Sequence, residues 1–189
     1  MYYRILSKLY EKAAEKMCRD CQKFINKNSR ILDLGCGSGI IGEKFQKFFQ
    51  AELIGVDIKD NRTVPLPFEL INGLKLPFPE DYFDAVLINY VLHHSLYPIS
   101  LLKEAKRVTK DKIILYEDLP EGRLSEWRCK IHGSSFNLFF QKNLAKGNFF
   151  KFKEWEKIFK DLDLKLIFEK ITFSGLDPVR KELFILKKI

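Results

Sequence analysis

Hydrophobic and polar positions alternate between two periods along this chain, and the switches between them mark its elements. Ile5, Leu9, Ala13, Met17, Cys21 and Phe24 recur at steps of three and four, which predicts one amphipathic helix over Tyr2–Ile25, ended by Asn26–Ser29. Ile31–Leu34 is a short apolar run of the kind that forms a buried strand. Ile41, Phe45, Phe48 and Phe49 then give one apolar face to a helix over Gly39–Gln50. Further strands are expected at Glu52–Asp57, Phe68–Ile71, Phe83–Asn89 and Lys112–Glu117, with a proline-bearing loop over Asp60–Pro67. Pro98 opens a helix to Val108 with Ile99, Leu102, Ala105 and Val108 inward. A turn that is tight or otherwise unusually built is expected at Thr109–Lys112. Trp155, Ile158, Phe159 and Leu162 define a helix over Phe152–Leu162. Leu164–Thr172 and Glu182–Lys188 read as closing strands joined by a turn at Ser174–Pro178.

Between Ile31–Leu34 and its helix stand Gly35, Gly37 and Gly39 at alternate positions. Strand, glycine turn and helix make a ligand cradle: glycine lets the backbone come close to a ligand, and the helix start offers amide donors and a positive dipole end. The run Gly37-Ser38-Gly39-Ile40-Ile41-Gly42 also fits the dinucleotide pattern GxGxxG, with Asp57 twenty positions after Gly37, so a nicotinamide enzyme is an alternative. Asp33 weighs against it. A carboxylate inside a buried strand is costly unless it meets donors, such as loop amides or a ligand ammonium.

Composition narrows the class. The 189 residues suit one domain over 1–189, with no long apolar run and no secretory leader, so a cytoplasmic protein without a transmembrane segment is expected. The net charge of +8 lies at the ends: residues 1–30 carry eight Lys/Arg against three Asp/Glu, and residues 141–189 carry twelve against seven. Such ends suit an RNA or anionic surface, although lysine predominates and no tight cluster stands out, which favours a solvated face. Cys18-x-x-Cys21 and Cys129-x-x-His132 have the spacing of a zinc site. Cys18 and Cys21 lie within the predicted first helix, Cys21 on its apolar stripe, which favours packing over metal, and no metal is expected.

The run Asp33-Leu34-Gly35-Cys36-Gly37-Ser38-Gly39 resembles motif I of the class I S-adenosylmethionine-dependent methyltransferases, of the small-molecule, UbiE-like type. The resemblance implies an α/β, Rossmann-like fold: a seven-stranded, mostly parallel sheet with a C-terminal antiparallel strand and helices on both faces. It implies S-adenosyl-L-methionine as cofactor. Asp33, Gly35, Cys36, Gly37 and Gly39 would meet its methionine half and Asp57 both ribose hydroxyls, with Ile58 and Asn89 beside them. Asn72-Gly73-Leu74-Lys75-Leu76-Pro77-Phe78 resembles the family's Asp-Ala-x-x-Leu-Pro-Phe run. Asn72 stands in place of the acid that meets the adenine amino group, an interaction an amide oxygen can also accept. Gly73 and Leu74 would flank the ring.

In similar proteins a histidine pair often follows the fourth strand, and His93 and His94 stand there, either of them a candidate general base. A structural hydrogen bond at a helix start is the plainer reading. Glu117 and Asp118, closing the fifth strand, are candidate substrate contacts. Tyr3 and Tyr10 are candidate lid aromatics over a sulfonium. The aromatic insertion 119–150 is read either as a lid over an apolar substrate or as a cap on the sheet. The expected function is methyl transfer to a small-molecule or lipid-like acceptor by a monomer or homodimer. The alternatives are an RNA methyltransferase using the basic ends and a non-catalytic methyltransferase-like partner subunit. Against base N-methylation, the family's Asn-Pro-Pro-Tyr-type run is absent after the fourth strand, where Asn89-Tyr90-Val91-Leu92 stands.

Overall fold

The computed structural model describes residues 7–73, 75–139, 148–172 and 179–189. Helix α1 (Ser7–Cys21) is followed by strand β1 (Arg30–Leu34), helix α2 (Ile40–Phe49), β2 (Glu52–Asp57) and β3 (Phe68–Leu70). Then come β4 (Phe83–Asn89), a 3₁₀ turn at Leu92–His94, α3 (Pro98–Val108), β5 (Thr109–Leu119), α4 (Arg123–Phe139), α5 (Phe152–Asp161), β6 (Leu164–Ile171) and β7 (Arg180–Lys188). The strands form one sheet in the order β3-β2-β1-β4-β5-β7-β6. Pairing is parallel from β3 through β5, whereas β7 runs antiparallel to both β5 and β6. The expected Rossmann-like fold is therefore present, with β7 as its reversed strand.

Strand periodicity builds a core on each face of this sheet. Val86 and Ile88 of β4 and Ile113 and Leu115 of β5 pack with Leu102 and Ala105 of α3 and Trp155 and Phe159 of α5. The alternate residues Ala85, Leu87, Ile114 and Tyr116 face the opposite side, where Met17, Cys18 and Cys21 of α1 and Phe45 and Phe49 of α2 cover them. On the first face Phe159 sits edge-on to Phe184 of β7 at 5.3 Å and stacks on Trp155 at 5.6 Å. Such pairs add about 0.5–1.5 kcal/mol each beyond area burial.

Several local expectations change. The buried stripe of the first helix runs through Ala14, Met17, Cys18, Cys21 and Ile25, while Leu9 and Ala13 face solvent. Both stripes satisfy the same helical period, and the packing of α1 on α2 and on the sheet chooses between them. On α3, Ile99 is exposed and Leu101 is buried in its stead. On α2, Phe48 is 39% exposed. The connection at Thr109–Lys112 is differently built rather than tighter: α3 passes directly into β5, with buried Thr109 donating from Oγ1 to the Lys112 carbonyl at 3.1 Å. The closing turn at 174–178 lies outside the described residues.

The crossover from β2 to β3 has no helix. Residues 58–67 make the parallel return as a loop laid against the glycine turn. Thr63 N–H donates to the Ser38 carbonyl at 2.9 Å, Gly55 N–H to the Pro67 carbonyl at 2.8 Å, and the Arg62 guanidinium to the Leu66 carbonyl. Leu66 is buried beneath this loop. This is the Asp60–Pro67 loop of the sequence reading, and it walls one side of the cleft at the carboxyl ends of β1 and β2.

Candidate cofactor and acceptor site

Four strands deliver polar side chains to one end of the sheet: Asp33 in β1, Asp57 closing β2, Asn89 closing β4 and Glu117 near the end of β5. In a parallel sheet this is the end where ligands bind. The glycine turn after β1 crosses it. Gly35 has φ +76°, and a Cβ there would lie 2.4 Å from Val91 Cγ2, so glycine is required both by backbone conformation and by the approach of Val91. Gly42, in the first turn of α2, is required by proximity alone: a Cβ would lie 2.5 Å from Asp33 Oδ2.

Asp33 is buried, and neither carboxylate oxygen has a hydrogen-bond partner among the described residues. Burial first, then the neighbouring Asp57 charge, pushes its carboxyl up to about 7. Asn89 is in the same condition, with both side-chain polar atoms buried and unpartnered among the described residues. Buried polar groups are ordinarily satisfied, so two such side chains at the mouth of a glycine turn fit a ligand that brings donors and acceptors. An acid that costs this much when ionised would be relieved by a nearby positive charge.

Asp57 closes the turn. Its Oδ2 accepts from Gly37 N–H at 2.9 Å and its Oδ1 from Ile58 N–H at 2.7 Å. Burial raises its carboxyl, and these two backbone donors oppose the rise. Each oxygen keeps a further lone pair for a hydroxyl. Gly73 brings its backbone beside Ile58, whose Cγ2 lies 3.2 Å from where a Cβ would stand. Asn72 is exposed, and its Oδ1 accepts weakly from Lys75 N–H at 3.3 Å. Leu74 lies outside the described residues. Cys36 contributes backbone only: its side chain packs toward Gly55, and burial pushes its thiol up, which removes it as a nucleophile.

At the acceptor side His93 is buried, with Nδ1 2.5 Å from Glu117 Oε2, while Glu117 Oε1 accepts from Leu92 N–H at 2.9 Å. Burial pushes the Glu117 carboxyl up to about 8 against the backbone donors of Leu92, Asp118, His93 and Val91. Phe149 stacks on the His93 ring at 4.7 Å, and Asn148 N–H donates to the His93 carbonyl at 2.8 Å. His94, half-buried, lies beside it with ring centroids 4.0 Å apart. Glu117 thus anchors the histidine turn, a pairing that chain spacing did not reveal. Asp118, read as a substrate contact, is held instead by Lys181 Nζ at 2.8 Å.

At the end of the insertion Phe149 stacks on His93, and Phe150 packs edge-on against Trp155 in the core. Trp127 is exposed. The side chains of His132, Phe136 and Phe139, with Tyr3 and Phe140, lie outside the described part; Tyr10 is half-buried on α1. Cys18 and Cys21 are buried, and burial pushes both thiols up to about 12, away from the thiolate a metal needs. Cys21 Sγ lies 3.5 Å from the Tyr116 hydroxyl.

Residues 32–116 match a family model described as a methyltransferase domain. An uncharacterized methyltransferase, C1B3.06c of Schizosaccharomyces pombe, is 36% identical over 107 residues, 47% of this chain and 38% of that one. A ubiquinone biosynthesis O-methyltransferase of Dinoroseobacter shibae is 26% identical over 170 residues, 82% of this chain and 63% of its own. The chain thus spans less than two thirds of the length of either. Uncharacterized protein MJ1123 of Methanocaldococcus jannaschii is 31% identical, with 92% of this chain and 80% of that protein covered. Among solved structures, PH0226 of Pyrococcus horikoshii superposes with a TM-score of 0.74 at 21% identity, covering 100% of this chain and 98% of its own, a likeness of fold. With motif I in place at the carboxyl ends of β1 and β2, residues 32–116 form a methyltransferase domain of the class I S-adenosylmethionine-dependent type.

Proposed function

We propose that this chain transfers a methyl group from S-adenosylmethionine to a small-molecule or lipid-like acceptor. The observation that carries the reading is Asp33: a buried carboxylate with both oxygens unpartnered among the described residues, beneath a glycine turn and beside Asp57. In this reading Asp33 and Asn89 hold the methionine end, with its ammonium against Asp33. Asp57 accepts from the ribose hydroxyls, and Ile58 and Gly73 flank the adenine with Asn72 at its amino edge. A pyrophosphate would bring negative charge to two carboxylates, which disfavours a dinucleotide here.

When bound, the cofactor supplies an electrophilic methyl on a positively charged sulfur. The chain's own task is to align the acceptor and exclude water. Glu117 fixes His93, which shapes the turn, and His94 is the imidazole we assign to proton removal where the acceptor carries a proton that must leave. The aromatic cover that Phe149 begins suits an acceptor with apolar surface, and the ubiquinone O-methyltransferase relative supports that class. Calorimetry with S-adenosylmethionine and with a nicotinamide dinucleotide tests the reading, together with mass spectrometry of co-purified ligand. Binding of the first alone is expected. Binding of the dinucleotide instead overturns it.

A further inference from the structure

Helix α4 leaves the ligand end of β5 and is anchored by its small residues. Ser125 and Cys129 are buried, and Ser125 Oγ donates to the Leu119 carbonyl at 2.9 Å. Away from that face stand Leu124, Trp127 and Ile131, exposed at 61%, 57% and 42%. At about 100° per residue these three fall within about 60° of helix arc. Arg128 borders the stripe on one side, and Arg123 and Lys130 border it on the other, with Arg123 and Lys130 exposed and Arg128 also open to solvent. Glu126, the acid in this stretch of the helix, is paired with Lys151 Nζ at 2.8 Å, so the face stays basic.

We propose that this face of α4 docks the protein on an anionic phospholipid surface. The charge pattern selects the occupant. An apolar stripe edged by arginine and lysine matches the acyl boundary below and the phosphates above, with tryptophan at the level where an amphipathic ring is favoured. A second copy of this chain would set the same positive edges against one another. The apolar stripe and the basic border supply the two signals that stable surface attachment needs. The proposal stands whatever the methyl acceptor is.

The test is co-sedimentation of the full chain with phosphatidylcholine vesicles and with equimolar phosphatidylcholine–phosphatidylglycerol vesicles, at low and high salt. Binding to the anionic vesicles alone, weakened by salt, is expected, with a blue shift of Trp127 emission; Trp155 is buried and contributes a constant signal. Arg123→Gln/Arg128→Gln lowers partitioning about 25-fold, from about fivefold per basic residue. Leu124→Ser/Trp127→Ser/Ile131→Ser removes it while circular dichroism and S-adenosylmethionine affinity stay unchanged. Equal binding to neutral vesicles, binding to neither, or a dimer that the triple variant dissolves each overturns the proposal.

Discussion

Asp33→Asn is expected to separate stability from ligand binding. The variant keeps the shape of a buried side chain that lacks hydrogen-bond partners among the described residues and removes its charge. Burial raises the Asp33 carboxyl from 3.8 to about 7 in the folded chain. A raised acid gives stability that is complete below about pH 4 and is lost as pH rises through about 7. At 1.36 kcal/mol per pH unit, the wild-type protein loses about 3 kcal/mol between pH 5 and pH 8 through this one group. The amide introduced by Asp33→Asn has no proton to lose, so the variant escapes that loss. Glu117, raised to about 8, contributes equally to both proteins and cancels in the comparison. The assay is urea unfolding of the free proteins at pH 5 and pH 8. The wild type should weaken between them by about 3 kcal/mol more than the variant. S-adenosylmethionine affinity moves the other way, rising with pH as Asp33 ionises and all but lost in the variant. Parallel stability profiles would refute the buried, unpartnered carboxylate, and retained affinity would refute its role toward the ligand.

Three further outcomes are expected. Asp57→Ala should weaken S-adenosylmethionine binding by roughly 1.5–3 kcal/mol, the scale of charged hydrogen bonds, as read by calorimetry; unchanged affinity removes the ribose assignment. Gly35→Ala should cost about 2–5 kcal/mol in urea unfolding, from a positive φ and overlap with Val91, and Val91→Ala should recover part of it; a melt like that of the wild type would show that the turn relaxes freely. His93→Ala removes the imidazole partner of buried Glu117 and should destabilise by about 1–3 kcal/mol, whereas His94→Ala should fold normally and lose turnover by roughly 10²–10⁴-fold once an acceptor is known; the reverse pattern would exchange their roles.

The local alphabet of this fold is written in the chain. Motif I at Asp33–Gly39, the acid closing β2 and the strands and helices that carry them follow from apolar period and glycine spacing, because each depends on residues close in sequence. What only the tertiary structure decided involves pairs far apart. Leu9 and Met17 satisfy the same helical period, and the packing of α1 on α2 exposes the first and buries the second. Glu117 meets His93 across two strands, and Asp118 turns away to Lys181. Val91 closes on Gly35, and the loop after β2 lies over the glycine turn in place of a helix. A chain states which residues are apolar or charged, but desolvation and partnership arise from neighbours on other elements. The burial that turns Asp33 from an ordinary carboxylate into one that is costly to ionise therefore becomes visible only when the sheet is assembled.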